Sequence, residues 1–466
     1  MEKSNTIFVH RIDDPGRKAC QDSKIDAAIS AIFHQCGYDS INADSPNWNP
    51  LGDFIKPNDK VLIKPNMVLE KSHQPGEDYY SVVTHPDIIR AVVKYVFRAL
   101  DGKGTITIGD APINSADFNR LCTNMCLLDL QKEYAEKGFI INLVDFRLLI
   151  IHKDSNGVIT NLKDEHNHSD YVEIKMDSNS TLNGNEKYKR FRVTEYDHTV
   201  MKEKHNQSVH RYCFHKIALQ STVVISLPKI KTHRKAGLTC AMKNWIGLNG
   251  NKDYLPHHTK FSIAEGGDEY LYRSLRKRTI SQCWEIRWRT KAKSIQKILR
   301  FIEDVLFKTQ KVKPFKDPYL EGSWYGNQTL PRTICDLNRA ILYADKNGNL
   351  CAEAQRKLLY LVDGIICGEG EGPMHATSKE CNMILWGLNS FAIDCVVAKI
   401  MGFDAQKIYF LKLAQTIKQF PIIDFEPEDV FVSTNNDIKP VLLTNAINLP
   451  VFNFVPTSGW QGHIEH

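Results

Sequence analysis

The chain has 466 residues, of which 42% are hydrophobic and 24% charged, and its formal net charge is +6. This is the composition of an ordinary globular protein, long enough for two or three domains or one elaborated domain. No apolar run approaches the ~20 residues that cross a bilayer, and the first residues lack the apolar core of a signal peptide. A cytoplasmic location is therefore expected.

Strand and helix patterns alternate along the chain. Four stretches begin with an apolar, β-rich run and then change abruptly to polar residues with Pro or Gly, and three others carry helical periodicity. Long apolar strands are typical of a parallel sheet that is covered on both faces, so the sequence predicts an α/β fold with a mostly parallel sheet flanked by helices. In chain order we predict a helix at 26–37, a strand in 61–66, a helix at 84–100 with Thr84 as N-cap, strands in 105–112, 223–233 and 358–365, and a helix at 390–402.

Two regions interrupt this alternation. One is polar, with short alternating runs, and is predicted to be an antiparallel, β-rich insertion; the other is basic and helical in pattern. The predicted organisation is an N-terminal α/β part at 1–150, the polar insertion at 151–215, a core strand with a site loop at 216–250, the basic helical insertion at 251–330, and a C-terminal α/β part at 331–466.

The basic insertion contains a concentrated segment of positive charge at 272–301, with ten Lys or Arg and one Glu. Such a helix could pack on the domain with a solvated basic face, or it could lie on an anionic membrane surface. Nucleic acid is an unlikely partner, because the rest of the chain is slightly acidic.

Charged and hydrogen-bonding side chains follow the apolar part of each predicted strand. In parallel sheets, ligands bind at the carboxyl ends of the strands, so we expect these side chains to form one site, although each alone could be a solvated loop residue. The candidate catalytic residues are Lys64, Asp110, Lys231, His233, Lys243 and Asp363, and the candidate substrate-binding residues are Asn66, His85, Lys229, Asn244, Glu369, Gly370 and Gly372.

The lysines in this set suit an anionic ligand such as a phosphate or a carboxylate. Lysines mixed with carboxylates also serve metal-assisted phosphoryl chemistry or proton transfer beside a carbonyl group. A lysine among other cations can have a lowered pKa and act as a base or nucleophile. The sequence therefore predicts an enzyme acting on an anionic small molecule, with a divalent metal as one option and non-catalytic anion binding as the alternative.

Eight ordered motifs between about residues 55 and 415 resemble the DUF362 family. The resemblance implies the same fold and site but no particular reaction. Many members carry a ferredoxin-type module with closely spaced cysteines, whereas this chain has no CxxC, so no Fe–S cluster is expected. The core is also distantly similar to lactate-racemase-type proteins, which use a nickel pincer cofactor on a lysine. The motifs are LIKPNMV (62–68), THPDIIRAVVKYV (84–96), GDAP (109–112), LPKIKTH (227–233), AMKNWIGL (241–248), LVDGI (361–365), EGEGP (369–373) and AIDCVVAKIMG (392–402).

Overall fold

The computed structural model shows a mixed α/β fold, in which a largely parallel sheet is flanked by helices and accompanied by small antiparallel sheets. The predicted fold class is thereby confirmed. The structure describes residues 4–13, 23–153, 159–164, 166–193, 198–290, 292–309, 319–437 and 439–466.

The strands vary from two to fifteen residues in length. In chain order they are β1 (Thr6–Arg11), β2 (Lys60–Pro65), β3 (Thr105–Asp110), β4 (Ile141–Asp145), β5 (Leu149–Lys153), β6 (Ile159–Asp164), β7 (Tyr171–Lys175), β8 (Phe191–Arg192), β9 (Arg211–His215), β10 (Val223–Leu227), β11 (Lys229–His233), β12 (Gly237–Thr239), β13 (His258–Thr259), β14 (Lys357–Glu371), β15 (His375–Gly387), β16 (Phe431–Thr434) and β17 (Val441–Leu442).

The α-helices alternate with the strands of the sheet. They are α1 (Ser23–Gln35), α2 (Pro86–Leu100), α3 (Phe118–Asn124), α4 (Leu127–Glu136), α5 (His198–Lys204), α6 (Lys216–Gln220), α7 (Ala241–Asn244), α8 (Leu275–Arg289), α9 (Lys293–Thr309), α10 (Thr329–Tyr343), α11 (Ser390–Met401) and α12 (Tyr409–Ala414).

The main sheet contains eleven strands of the described chain, and nine of them follow the order β17-β16-β1-β15-β14-β10-β2-β3-β4. Strands β14, β10, β2, β3 and β4 are mutually parallel, whereas β15 pairs antiparallel with β14. The carboxyl ends of β2, β3 and β10 therefore lie at one edge of the sheet. This is the edge at which the sequence places its candidate site.

The predicted strand at 223–233 forms two consecutive strands, β10 and β11. Pro228 separates β10 from β11, and its carbonyl accepts a hydrogen bond from the Asp363 N–H at 2.8 Å. Both β10 and β11 pair in parallel with β14, which is long enough to serve the two strands in succession. The candidate residues Lys229, Lys231 and His233 thus lie on a buried strand and not on a surface loop.

Apolar side chains cover both faces of the sheet, as the continuous apolar strands require. In β2, Leu62 packs into one hydrophobic core, whereas Val61 and Ile63 pack into the other. The first core lies against α10, α11 and α12, and the second lies against α1, α2 and α4.

The start of α2 differs from the prediction by one residue. His85 is the N-cap, and its Nδ1 accepts a hydrogen bond from the Asp87 N–H at 3.3 Å. Thr84 is used elsewhere, because its hydroxyl accepts from the Asn66 N–H and donates to the Leu227 carbonyl. Thr84 therefore joins the ends of β2 and β10.

Small antiparallel sheets and a helix pair lie in the two regions that interrupt the alternation of strand and helix. The pairs β5–β6 and β7–β9 form small antiparallel sheets, and the basic segment forms the helix pair α8–α9. Among the described helices, none combines the length and apolar composition that crossing a bilayer requires.

Candidate functional site

A cavity of about 650 Å³ lies at the carboxyl ends of the central strands. Its floor is formed by residues that follow β2 and β3, one wall by β11 and α7, and another wall by α8 and α9. The basic helix pair therefore belongs to this site, which the sequence analysis did not anticipate. Six of the candidate residues line the cavity, namely Asn66, Asp110, Lys231, His233, Lys243 and Asn244.

A buried ion pair supports the floor. The Lys64 ammonium donates to Oδ1 of Asp110 at 2.8 Å and to the Pro65 carbonyl at 2.9 Å. Asp110 also accepts backbone N–H groups from Met67 and Ala111. These bonds occupy both carboxylate oxygens, so the pair is suited to fix the ends of β2 and β3 in place.

Gly247 allows the chain to cross directly over this ion pair. A Cβ atom at this position would overlap Oδ1 of Asp110, and it would lie 2.7 Å from Nζ of Lys64. The Gly247 carbonyl accepts the Ala111 N–H at 2.7 Å. Only glycine lets the backbone approach so closely.

Two amides link the floor to the β11 wall. Asn66 Oδ1 accepts from the Lys231 ammonium at 2.8 Å, and Asn66 Nδ2 donates to Asn244 Oδ1 at 3.3 Å. The same Asn244 oxygen accepts from Lys64 at 3.2 Å, and its Nδ2 donates to Ser226 at 2.9 Å. The candidate residues from three separate motifs thus share one hydrogen-bond network.

The short helix α7, which carries Lys243 and Asn244, is held from outside the site. Asp394 of α11 accepts the N–H groups of Ala241 and Met242 at 2.7 and 3.1 Å. Burial raises the pKa of Asp394 to about 7. Trp245 is fully buried at the other end of α7. Asp394 therefore positions Lys243. It lies within the motif AIDCVVAKIMG (392–402), but its local sequence does not indicate this role.

Three lysines in the cavity wall lack a carboxylate partner. Lys231 donates to Asn66 Oδ1 and the Val82 carbonyl, and Lys252 donates to backbone carbonyls, including that of Ala111 at 2.8 Å. The Lys243 ammonium makes no hydrogen bond or ion pair within the described part of the chain, whereas the backbone carbonyl of Lys243 accepts one from the Trp245 N–H. No described carboxylate forms an ion pair with any of the three, although the charge of Asp110 favours the protonated forms of Lys231 and Lys252. This lysine cluster (Lys231, Lys243 and Lys252) therefore presents positive charge without a close carboxylate partner.

Burial and nearby cations lower the pKa of each lysine in the cluster. The pKa of Lys243 falls to about 7 through desolvation and the charges of Lys252 and Lys64. Desolvation lowers the pKa of Lys252 to about 8, and desolvation with the charge of Lys243 holds the pKa of Lys231 well below its ordinary value. An anion in the cavity would relieve this repulsion and favour the protonated lysines.

Two histidines face the same cavity and are neutral near physiological pH. Burial and the charge of Lys243 hold the pKa of His233 well below its ordinary value, and burial lowers the pKa of His257 to about 3. Nδ1 of His233 accepts the Lys235 N–H at 3.1 Å, so Nε2 carries the ring proton. His233 can therefore donate a hydrogen bond without adding charge.

The other candidate residues lie outside the cavity lining. Lys229 and Asp363 form a fully buried ion pair at 2.7 Å between β11 and β14. Asp363 also accepts the His85 N–H, which connects the pair to the start of α2. These three residues, like Lys64, support the site from behind.

The segment around EGEGP belongs to the hairpin of β14 and β15. Glu369 pairs with Lys379 at 2.8 Å, and Gly370 and Gly372 border a second cavity of about 620 Å³. Arg234 lines both cavities. The prediction that Glu369, Gly370 and Gly372 bind substrate therefore stays a prediction, separate from the main cavity.

Several cavity residues escaped the sequence analysis. Two of them lie in the basic segment at 272–301, whose concentrated positive charge indicated a special role for this region. The spacing of the charges does not show which side chains turn inward. The missed residues are Arg234, Lys235, Lys252, His257, Arg287 and Arg300.

Among the described residues, no group of three or more His, Cys, Asp or Glu side chains is placed to hold a metal ion. The donors around the cavity are mainly cationic, which fits recognition of an anion by the protein's own side chains.

A comparison with known proteins supports the motif assignment. The chain is similar to the thylakoid-associated protein sll1697 of Synechocystis sp., with 21% identity over 361 residues, which is 77% of this chain and 68% of the relative. No solved structure matches the chain. The family model described as "Domain of unknown function (DUF362)" matches residues 61–148 and 150–399. The chain therefore belongs to the DUF362 family.

Proposed function

We propose that this protein is an enzyme that binds a phosphorylated or carboxylated small molecule in the main cavity. The observation that carries the proposal is the lysine cluster, in which three inward-facing lysines lack carboxylate partners. Uncompensated charges are costly inside a protein, and a bound anion would offset that cost. The supporting pairs Lys64–Asp110 and Lys229–Asp363 are already neutralised, so they do not compete for the ligand.

Lys243 is the proposed proton-transfer residue. Its pKa is about 7 in the ligand-free protein. A bound anion raises that pKa, so the neutral amine that accepts a proton from carbon or oxygen is present in the complex at mildly alkaline pH. Lys231 and Lys252 would hold the anionic group, and His233 would donate from Nε2 to a substrate oxygen. Asp110 and Asp363 receive no acid–base role here, since both are engaged with buried lysines.

Anion binding is tested by titrating the protein with sulfate, inorganic phosphate and citrate in a calorimeter. Wild type should bind at least one of these anions, and Lys231→Met and Lys243→Met should each weaken that binding about tenfold or more, since charge-assisted hydrogen bonds are the strong ones. Lys103→Met, which changes an exposed lysine, is the matched control. Binding that is absent from wild type, or equal in all variants, contradicts the proposal.

Catalysis is tested separately with 2-oxo acids and sugar phosphates in D₂O, followed by NMR. Exchange of hydrogen beside a carbonyl group should occur with wild type and disappear in Lys243→Met. If the anions bind but no exchange occurs with any compound, the proton-transfer role is contradicted, and non-catalytic anion binding becomes the better account.

The compartment is a proposal as well. The sequence favours a cytoplasmic location, whereas the cyanobacterial relative is named for its association with thylakoids. Fractionation of cells into soluble and membrane fractions would distinguish the two.

A further inference from the structure

The helix α9 exposes four of its apolar side chains to solvent, whereas two of its polar side chains are turned to the protein. Ile295, Ile298, Phe301 and Val305 expose between 44% and 69% of their surface. In contrast, the polar side chains at 296 and 303 are buried. This is the reverse of an ordinary surface helix, whose apolar stripe faces the core.

The buried polar side chains of α9 have hydrogen-bond or ion-pair partners on and beside α8. Glu303 pairs with Arg287 of α8 at 3.3 Å, and Gln296 donates to the Thr290 carbonyl at 2.8 Å. Arg300 and Asp304, on the same helix, line the charged cavity. These polar contacts orient the helix together with Leu306 and Phe307, which pack towards α8, and they leave the four exposed apolar residues on the outside.

The exposed apolar residues form one stripe. Positions 295, 298, 301 and 305 follow one another at spacings of three or four residues, which places them along one face of an α-helix. Single exposed apolar residues are common on protein surfaces, whereas a contiguous stripe marks a binding face. We define this outer face of α9 by Ile295, Ile298, Phe301 and Val305.

Positive charge flanks the outer face on one side. Lys293, Lys297 and Lys308 are exposed, and helical geometry places them together, beside the apolar stripe. An apolar stripe beside a row of lysines is the arrangement by which helices lie in the interface of an anionic bilayer, with apolar groups among the acyl chains and lysines at the headgroups.

We propose that the outer face of α9 docks the protein onto an anionic lipid membrane. The proposal narrows the sequence-based one, which assigned the membrane contact to 272–301. In the structure Arg287 faces the cavity and pairs with Glu303, and Lys277 of α8 is buried. The contact surface is therefore confined to α9, where it extends beyond residue 301 to Val305 and Lys308, and it does not depend on what the cavity binds.

Vesicle co-sedimentation tests the proposal, with phosphatidylcholine vesicles that contain or lack phosphatidylglycerol. Wild type should sediment with the anionic vesicles and far less with the neutral ones. The variant Ile298→Ser/Phe301→Ser should lose about tenfold or more in partitioning, because it removes the apolar contact. Lys293→Gln/Lys297→Gln should lose about 25-fold at low salt, since each lysine near an anionic surface contributes about fivefold.

Matched controls separate this face from exposed residues in general. Ile41 and Ile447 are 96% and 93% exposed and lie elsewhere on the chain, so Ile41→Ser/Ile447→Ser should sediment like wild type. Circular dichroism should show that all variants remain folded. Equal sedimentation of the Ile298→Ser/Phe301→Ser variant and wild type would overturn the proposal.

A second copy of this chain is the other occupant to consider. Analytical ultracentrifugation of wild type and the Ile298→Ser/Phe301→Ser variant distinguishes the two. A wild-type dimer that the variant converts to a monomer, without vesicle binding by wild type, would overturn the lipid proposal in favour of self-association.

Discussion

The Lys64 ammonium lies 2.8 Å from Oδ1 of Asp110, and both side chains are almost completely removed from solvent. Asp110→Ala leaves the lysine charge buried without its carboxylate, so we expect a loss of about 3 to 5 kcal/mol in the free energy of unfolding. Urea denaturation measures this loss. Asp26→Ala, which breaks the exposed pair with Lys94, should cost about 1 kcal/mol or less. Similar costs for the two variants would contradict the structural role of the buried pair.

Gly247 is predicted to tolerate no side chain. Gly247→Ala would place a methyl group against the Asp110 carboxylate and Lys64, so the backbone or the ion pair must move. We expect a loss of about 2 kcal/mol or more in the free energy of unfolding, within the range of overpacked sites. Gly462→Ala is an informative comparison, because no atom lies within 4 Å of a Cβ there, although its positive φ of 74° adds local strain. A smaller loss in the free energy of unfolding for Gly247→Ala than for Gly462→Ala would contradict the close approach of the Gly247 backbone to Lys64 and Asp110.

Lys243 should destabilise the ligand-free protein at low pH. Its pKa in the folded state is about 7, against 10.5 for the ordinary side chain. The folded state therefore binds fewer protons between these values, and stability rises as pH increases through that window, with the full penalty present below it. Lys243→Met should be more stable than wild type by about 1 to 2 kcal/mol near pH 6.

This advantage of Lys243→Met should shrink as the pH rises towards 10.5 and disappear above it, where the lysine is neutral in both the folded and the unfolded state. Urea denaturation at a series of pH values gives the comparison, with Lys103→Met as the control for removing an exposed lysine. A variant that is less stable than wild type at low pH would show that the Lys243 charge is compensated in the free protein.

The inward face of α9 should contribute to anion binding. Arg300 lines the cavity without a hydrogen-bond or ion-pair partner in the described part of the chain, so its guanidinium is free to meet a ligand. Arg300→Gln should weaken sulfate binding about threefold to tenfold, since this partly exposed charge is screened by solvent. The free energy of unfolding of the Arg300→Gln variant should remain within about 0.5 kcal/mol of the wild-type value. Unchanged sulfate affinity would show that the α8–α9 pair bounds the cavity without contacting the ligand.

Much of the sheet and half of the site could be predicted from sequence, because local pattern determines them. The apolar runs at 61–66 and 105–112 form β2 and β3, and the polar residues that follow each run meet at one edge of the sheet. Lys64 and Asp110 lie together for that reason. The parallel direction of the two strands is sufficient to bring their carboxyl ends side by side.

The other parts of the site depend on contacts between residues that lie far apart in the sequence, and local pattern does not predict such contacts. The change from apolar to charged residues after Leu227 is typical of a strand end, yet Lys229 stays buried because Asp363 of β14 neutralises it. No local pattern announces that pairing, since 134 residues separate the two. Lys252 was missed for a similar reason, because it reaches the cavity by donating to the carbonyl of Ala111, 141 residues away.

The orientation of the basic helices was also beyond local pattern. The apolar stripe of α9 would ordinarily be assigned to the core. In the structure the cavity supplies a polar environment on the inner side, so Glu303 turns inward to Arg287. The tertiary contacts of α9 therefore leave exposed an apolar stripe that the amphipathic pattern alone would assign to the core.

Proton uptake on anion binding tests the central claim most directly. Sulfate does not titrate near neutral pH, so protons taken up when it binds must go to the protein. Its charge should raise the pKa of Lys243 from about 7. At about pH 8, calorimetry in buffers of different ionisation enthalpy should therefore show proton uptake by wild type when sulfate binds. Lys243→Met should take up about one proton fewer per sulfate, and its remaining uptake goes to Lys231 and Lys252, whose pKa values are lowered as well. Sulfate binding without proton uptake, or equal uptake by Lys243→Met, would contradict the assignment of Lys243 as the titrating residue of an anion site.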